Sequence, residues 1–104
     1  MRRHRTSSEA DEDLIAIFEQ GIERFGRRQA DRYLDDLWRT FGRLADFPGI
    51  GRLRTENQPP VRTLAYQAHV IIYEEDDGGV LIIRVRRGRE DWRNDPRGSD
   101  EEQD

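Results

Sequence analysis

Apolar residues recur at Leu14, Ile17, Phe18, Ile22 and Phe25, the three- and four-residue spacing of one helix face. Ser7 or Ser8 stands where an N-cap belongs. Glu9, Asp11, Glu12 and Asp13 then bring negative charge to the positive end of the helix dipole. Gly26 breaks the pattern. A second and stronger one runs over residues 27–45 through Ala30, Tyr33, Leu34, Leu37, Trp38, Phe41, Leu44 and Ala45. Asp35 with Arg39, and Arg32 with Asp36, lie four apart on its wet face. The connection at Gly26 is short, so the two helices fold back as a hairpin. Trp38 shares the apolar stripe with Leu34, Leu37 and Phe41 and is expected in the core.

Pro48, Gly49 and Gly51 end the second helix, and residues 56–60 read as loop. Three strands follow, over residues 61–65, 68–74 and 80–87, the last two joined by the turn Asp76-Asp77-Gly78-Gly79. Residues 2–6 are able to pair as an edge strand. The fold class is α+β: an N-terminal helical hairpin packed on one face of a small antiparallel sheet. Side chains alternate along a strand. Simple alternation turns Leu81, Ile83 and Val85 toward the helices and Val80, Ile82, Arg84 and Arg86 toward an open face. Arg62 joins that face if its strand is in register.

A chain of 104 residues has room for one domain and one core. Residues 1–93 are assigned to the domain and 94–104 to a disordered acidic tail. Charged residues reach 38% against 34% hydrophobic, so the apolar positions must be well placed, and a partner is able to supply further burial. A net charge of −4 argues against general nucleic-acid coating. All 18 basic residues are arginine, which excludes a lysine nucleophile, Schiff base or general acid. Without cysteine there is no disulfide and no thiol chemistry. No apolar run approaches membrane-spanning length, so no membrane partner is expected. The basic N-terminus lacks the apolar stretch of a secretory signal, and the cytoplasm is the expected location.

The strongest chemical signal is the basic stretch Arg84, Arg86, Arg87, Arg89, Arg93 and Arg97, interleaved with Gly88 and Trp92. Guanidinium groups suit phosphate or carboxylate recognition, and an aromatic residue among them suits a macromolecular interface. The plainer reading is a solvated edge neutralised by Glu90, Asp91 and Asp95. The recurrence of arginine on one strand and its exit favours binding. His69 has no cysteine, serine or carboxylate beside it in sequence and is read as structural; His4 carries little weight. The acidic run from Glu74 to Asp77 lacks the ligand spacing of a calcium loop and reads as a solvated turn. No phosphate-cradling glycine loop, zinc motif or nucleophile elbow is present. Neither cofactor nor metal is expected.

Three strings carry a family resemblance: ERFGRRQADRYLDDL at residues 23–37, LADFPGIGRLR at 44–54, and HVIIYEEDDGGVLIIRVRRGREDW at 69–92. Phe-Pro-x-Ile-Gly-Arg in the second and the closing Arg-Val-x-x-Gly-Arg-x-Asp-Trp are specific in combination. In this order they resemble the ParE/RelE superfamily of type II toxin–antitoxin toxins, closest to the ParE branch. The resemblance implies a bacterial toxin held inactive by a co-expressed, ParD-like antitoxin. ParE-like members poison DNA gyrase, a type II topoisomerase; RelE-like members cleave messenger RNA on the ribosome. The last tyrosine is Tyr73, before the final strand, and Trp92 holds the late aromatic position, where it cannot move a proton. The expected function is therefore gyrase inhibition by protein binding, with no catalytic residue and no sequence-specific DNA binding by the chain alone. Its target-binding groups are Arg84, Arg86, Arg89 and Trp92. The alternative is a RelE-type ribosome-dependent endoribonuclease, with Arg62, Arg84 and Arg86 on the phosphate. A third reading is a non-toxic interaction domain.

Overall fold

In the computed structural model, residues 2–98 are described. The chain runs β1 (Arg3–Thr6), α1 (Ser8–Phe25), α2 (Arg27–Asp46), a short 3₁₀ turn (Pro48–Ile50), β2 (Arg52–Arg54), β3 (Val61–Tyr66), β4 (His69–Asp76) and β5 (Gly79–Arg87). The five strands form one sheet in the order β1-β5-β4-β3-β2. Four strands form an antiparallel meander, and β1 joins β5 in parallel, so the sheet is mixed. The α+β class and the helical hairpin on the sheet are as the sequence implies. The short strand β2 was not anticipated.

Ser7 caps α1: its Oγ accepts from the Ala10 amide at 2.9 Å. The same residue closes part of β5's free edge, because β1 ends at Thr6 while β5 runs on. The Ser7 amide donates to the Ile82 carbonyl at 3.0 Å, and its hydroxyl donates to the Ile83 carbonyl at 2.7 Å. One turn later Asp13 accepts from the Val85 amide at 3.0 Å. The start of α1 thus satisfies the backbone groups that a bare sheet edge would leave open.

The helices bury one face of the sheet. Leu14, Leu37, Phe41 and Leu44 pack on Ile71, Tyr73, Val80, Ile82 and Val85. Burial on this scale is the main stabilising term for so small a chain. Tyr73 also fastens the exit of α2: its hydroxyl donates to the Pro48 carbonyl at 2.7 Å and accepts from the Gly51 amide at 2.8 Å.

The register of β4 on β5 corrects the expected faces. Tyr73 pairs with Ile82 and Ile72 with Arg84, leaving Ile83 as the extra residue of a bulge. Val80, Ile82 and Val85 face the helices; Leu81 and Ile83 face away. The far face is not open either. Val61, Val70, Ile72 and Ile83 form a second cluster, and Trp92 closes it. Trp38, expected in the core, is 43% exposed; it lies against His4 of β1 and Phe41 at the rim, with ring centroids 5.2 and 5.5 Å away. It sits beside the edge strand β1, where only one neighbouring strand lies beneath the helix.

No helix is long and apolar enough to cross a membrane among the described residues. Of the tail expected from residue 94, residues 94–98 are described; residues 99–104 lie outside them.

Candidate functional site

The structure separates the residues that the closing strand seemed to hold together. Arg84 is 3% exposed. It wraps the edge of β5 and meets Asp13 of α1 through two bonds, Nε to Oδ2 at 2.7 Å and Nη2 to Oδ1 at 2.9 Å. Its Nη1 donates to the Arg97 carbonyl at 2.8 Å. A guanidinium so enclosed is part of the fold, which corrects its assignment to an open surface. Trp92, 4% exposed, is corrected likewise. Its ring plugs the far-face cluster, Nε1 donates to the Gly88 carbonyl at 3.3 Å, and the guanidinium carbons of Arg54 and Arg93 lie 5.1 and 4.5 Å from its ring.

Arg86 is on the far face as expected, but its Nε is paired with Glu90 at 2.7 Å, and Nη1 donates to the Asp95 carbonyl at 3.1 Å. Residues 95–98 therefore lie across the arginines of β5. Arg62 pairs in register with Tyr73 and so belongs to the helix-side face, opposite Arg84 and Arg86. It donates to Glu75 at 2.9 Å and to the Gly51 carbonyl at 2.9 Å. The set Arg62, Arg84 and Arg86 consequently does not converge on one phosphate position. The acidic run is taken up by arginines from three places: Glu74 by Arg97, Glu75 by Arg62, and Asp76 by Arg5.

Of the four residues expected to bind a target, Arg89 alone is exposed. It does not stand with the others. Together with Arg87 it lines a cleft of about 580 Å³ between the hairpin bend and the end of the sheet. One wall is α1 with Ile17, Gln20, Arg24 and Phe25; the opposite wall is the β3–β4 turn and the exit of β5. At its floor the Tyr33 hydroxyl lies 2.7 Å from Nδ1 of His69. Burial pushes the Tyr33 phenol up to about 12, with Tyr66 adding to the effect and the Ala68 amide opposing it. Burial, then the charge of Arg87, lowers His69 below its usual value, against the opposing pull of Glu90 and Asp13. Both rings are therefore neutral at pH 7. The phenol also donates to the Tyr66 carbonyl at 3.4 Å, and the direction of its bond to Nδ1 is set by the imidazole tautomer. His69 is held by its neighbours, as a structural histidine is, yet it borders a cleft. Sequence reasoning missed this pairing because Tyr33 and His69 are 36 residues apart.

The fold and its surface describe a small α+β protein with a hairpin-capped sheet and no metal-ligand cluster among the described residues. Comparison with known proteins makes the class specific. The family model described as the ParE toxin of type II toxin–antitoxin system, parDE, matches residues 5–92. Toxin ParE3 of Caulobacter vibrioides is 31% identical over 77 residues, 74% of this chain and 77% of the relative. Toxin ParE1 of Mycobacterium tuberculosis is 32% identical over 90 residues, 86% of this chain and 92% of the relative. A solved structure, the chromosomal ParDE TA system from P. aeruginosa, superposes with a TM-score of 0.71 at 22% identity, covering 84% of this chain and 96% of the other. The chain belongs to the ParE toxin family of type II toxin–antitoxin systems.

Proposed function

We propose that this protein is the toxin of a cytoplasmic toxin–antitoxin pair, that it inhibits DNA gyrase by binding, and that a ParD-like antitoxin neutralises it. The observation that carries this reading is the match to the ParE branch over residues 5–92. Gyrase inhibition needs no group on the toxin that moves a proton or forms a bond. In this reading the contact to the topoisomerase is made by the exposed end of the closing segment, Arg89 with the accessible part of Arg86, and Arg84 and Trp92 hold that segment in shape. Arginine anchors of this kind lose roughly 2–4 kcal/mol of binding when truncated to alanine.

The test is purified protein with gyrase and supercoiling substrate, beside a translating-ribosome cleavage assay. Supercoiling is expected to be inhibited, and Arg89→Ala is expected to relieve that inhibition while leaving the circular dichroism spectrum unchanged. Co-purification with the product of an adjacent small acidic reading frame tests the antitoxin pairing. Cleaved message with gyrase untouched would replace this reading by the endoribonuclease one.

A further inference from the structure

The cleft at the hairpin bend is charged in one sense only. Arg24, Arg87 and Arg89 line it, and no carboxylate does, although the chain as a whole carries −4. Arg87 is satisfied by a neutral partner, the Gln20 amide oxygen at 2.7 Å. Arg24 and Arg89 have no ion-pair or hydrogen-bond partner among the described residues. Several other arginines are matched by acids: Arg84 by Asp13, Arg86 by Glu90, Arg62 by Glu75, Arg97 by Glu74.

Its walls carry two further kinds of group. Ile17, Ala30 and the exposed ring of Phe25 give apolar and aromatic surface, and Tyr33 and His69 add two neutral rings. Gln29 and Gln67 add side-chain amides, each with donors and an acceptor. The volume of about 580 Å³ lies within the range of small-molecule sites. Arginines suit a phosphate, aromatic faces suit a planar base, and amides suit its hydrogen-bonding edge. A simple carboxylate or inorganic phosphate would use the arginines and leave the rings and amides idle.

We propose that this cleft is a binding site for a mononucleotide, with the phosphate on Arg24, Arg87 and Arg89 and the base between Phe25 and the Tyr33–His69 pair. The inference rests on the cleft's own residues and shares only Arg89 with the target contact assigned above. Arg24, Arg87 and Phe25 take no part in that assignment, so their variants separate the two.

The probes are AMP and GMP, with adenosine, inorganic phosphate and a short glutamate-rich peptide beside them, titrated into the full chain by calorimetry and followed in ¹H–¹⁵N spectra. At least one mononucleotide is expected to bind with a Kd of about 10–100 µM. Shifts should centre on Tyr33, His69 and Arg87. Arg24→Gln and Arg87→Gln should each weaken binding about tenfold, and Phe25→Ala several-fold. Arg24 and Phe25 are exposed, so these variants should keep the fold, and an unchanged spectrum outside the cleft checks it. Adenosine and phosphate alone should bind at least tenfold more weakly than AMP. No saturable binding of either nucleotide would overturn the proposal. So would phosphate or the acidic peptide binding as tightly as AMP, since that would make the cleft a bare anion or peptide site.

Discussion

Replacing Asp13 by alanine should destabilise this protein by about 3–5 kcal/mol, the usual consequence of stranding one member of a buried ion pair. The Asp13 side chain is 14% exposed and that of Arg84 only 4%. Two bonds of 2.7 and 2.9 Å join them, and the Asp13 carboxylate also accepts from the Val85 amide. Truncation therefore removes the Asp13 carboxylate from a buried guanidinium and leaves a strand N–H without its acceptor. An unsatisfied amide alone costs about 1–3 kcal/mol. A small domain has only about 5–15 kcal/mol in total, so the loss is a large share of it. Urea unfolding followed by circular dichroism would measure it. A double-mutant cycle of Asp13→Leu and Arg84→Met should show strong coupling, with the double variant more stable than Asp13→Leu alone. A loss below about 1 kcal/mol for Asp13→Ala, the value of an exposed pair, would refute the argument. The result bears on function: lost toxicity in an Arg84→Ala variant would report a damaged fold before it reported a missing contact.

Trp92→Ala should cost about 3–5 kcal/mol, because it empties the far-face cluster, whereas the half-exposed Trp38 should cost clearly less; paired urea titrations would check the order. Gly51→Ala should destabilise by about 2 kcal/mol or more, since a Cβ there overlaps the Tyr73 hydroxyl and the Thr63 carbonyl, and Tyr73→Phe should cost about 1–3 kcal/mol by stranding the Gly51 amide; thermal melts of both would test the anchor. Burial lowers the pKa of His4 and, with Arg87, that of His69. The unfolded chain therefore takes up protons first, near pH 6.5, so these groups favour the fold fully above that pH and progressively less as the pH drops through the lower folded values. The urea midpoint should fall between pH 7.5 and 5, less steeply in a His69→Gln variant; a midpoint that rises on acidification would contradict this.

The hairpin, the turn at residues 76–79 and the three main strands were legible because each rests on a local period or a turn signal. Two features were not. The bulge at Ile83 shifts the alternation of β5 by one residue, and a register change leaves no mark in a run such as Val-Leu-Ile-Ile. Trp38 and Trp92 exchanged their expected places. A helical period shows which side of α2 is apolar, not how far the sheet extends beneath it. Trp92 follows Gly88, in an irregular stretch where no period exists to read.

One signal for the far face was in the sequence all the same. Val70, Ile71, Ile72 and Tyr73 are apolar without interruption, as are Val80 to Ile83. A strand covered on one side alternates; an unbroken apolar run implies cover on both. Taken that way, β4 and β5 demand a second layer, and the segment after Gly88, with Trp92, is the chain available to supply it. The consequence reaches the site. Once both faces are covered, most arginines of the closing strand are needed to hold that cover, through Asp13, Glu90 and the carbonyls of Asp95 and Arg97. What remains for recognition is the strand's end, where Arg87 and Arg89 leave the sheet and meet Arg24 from the hairpin across a cleft that contains no acid.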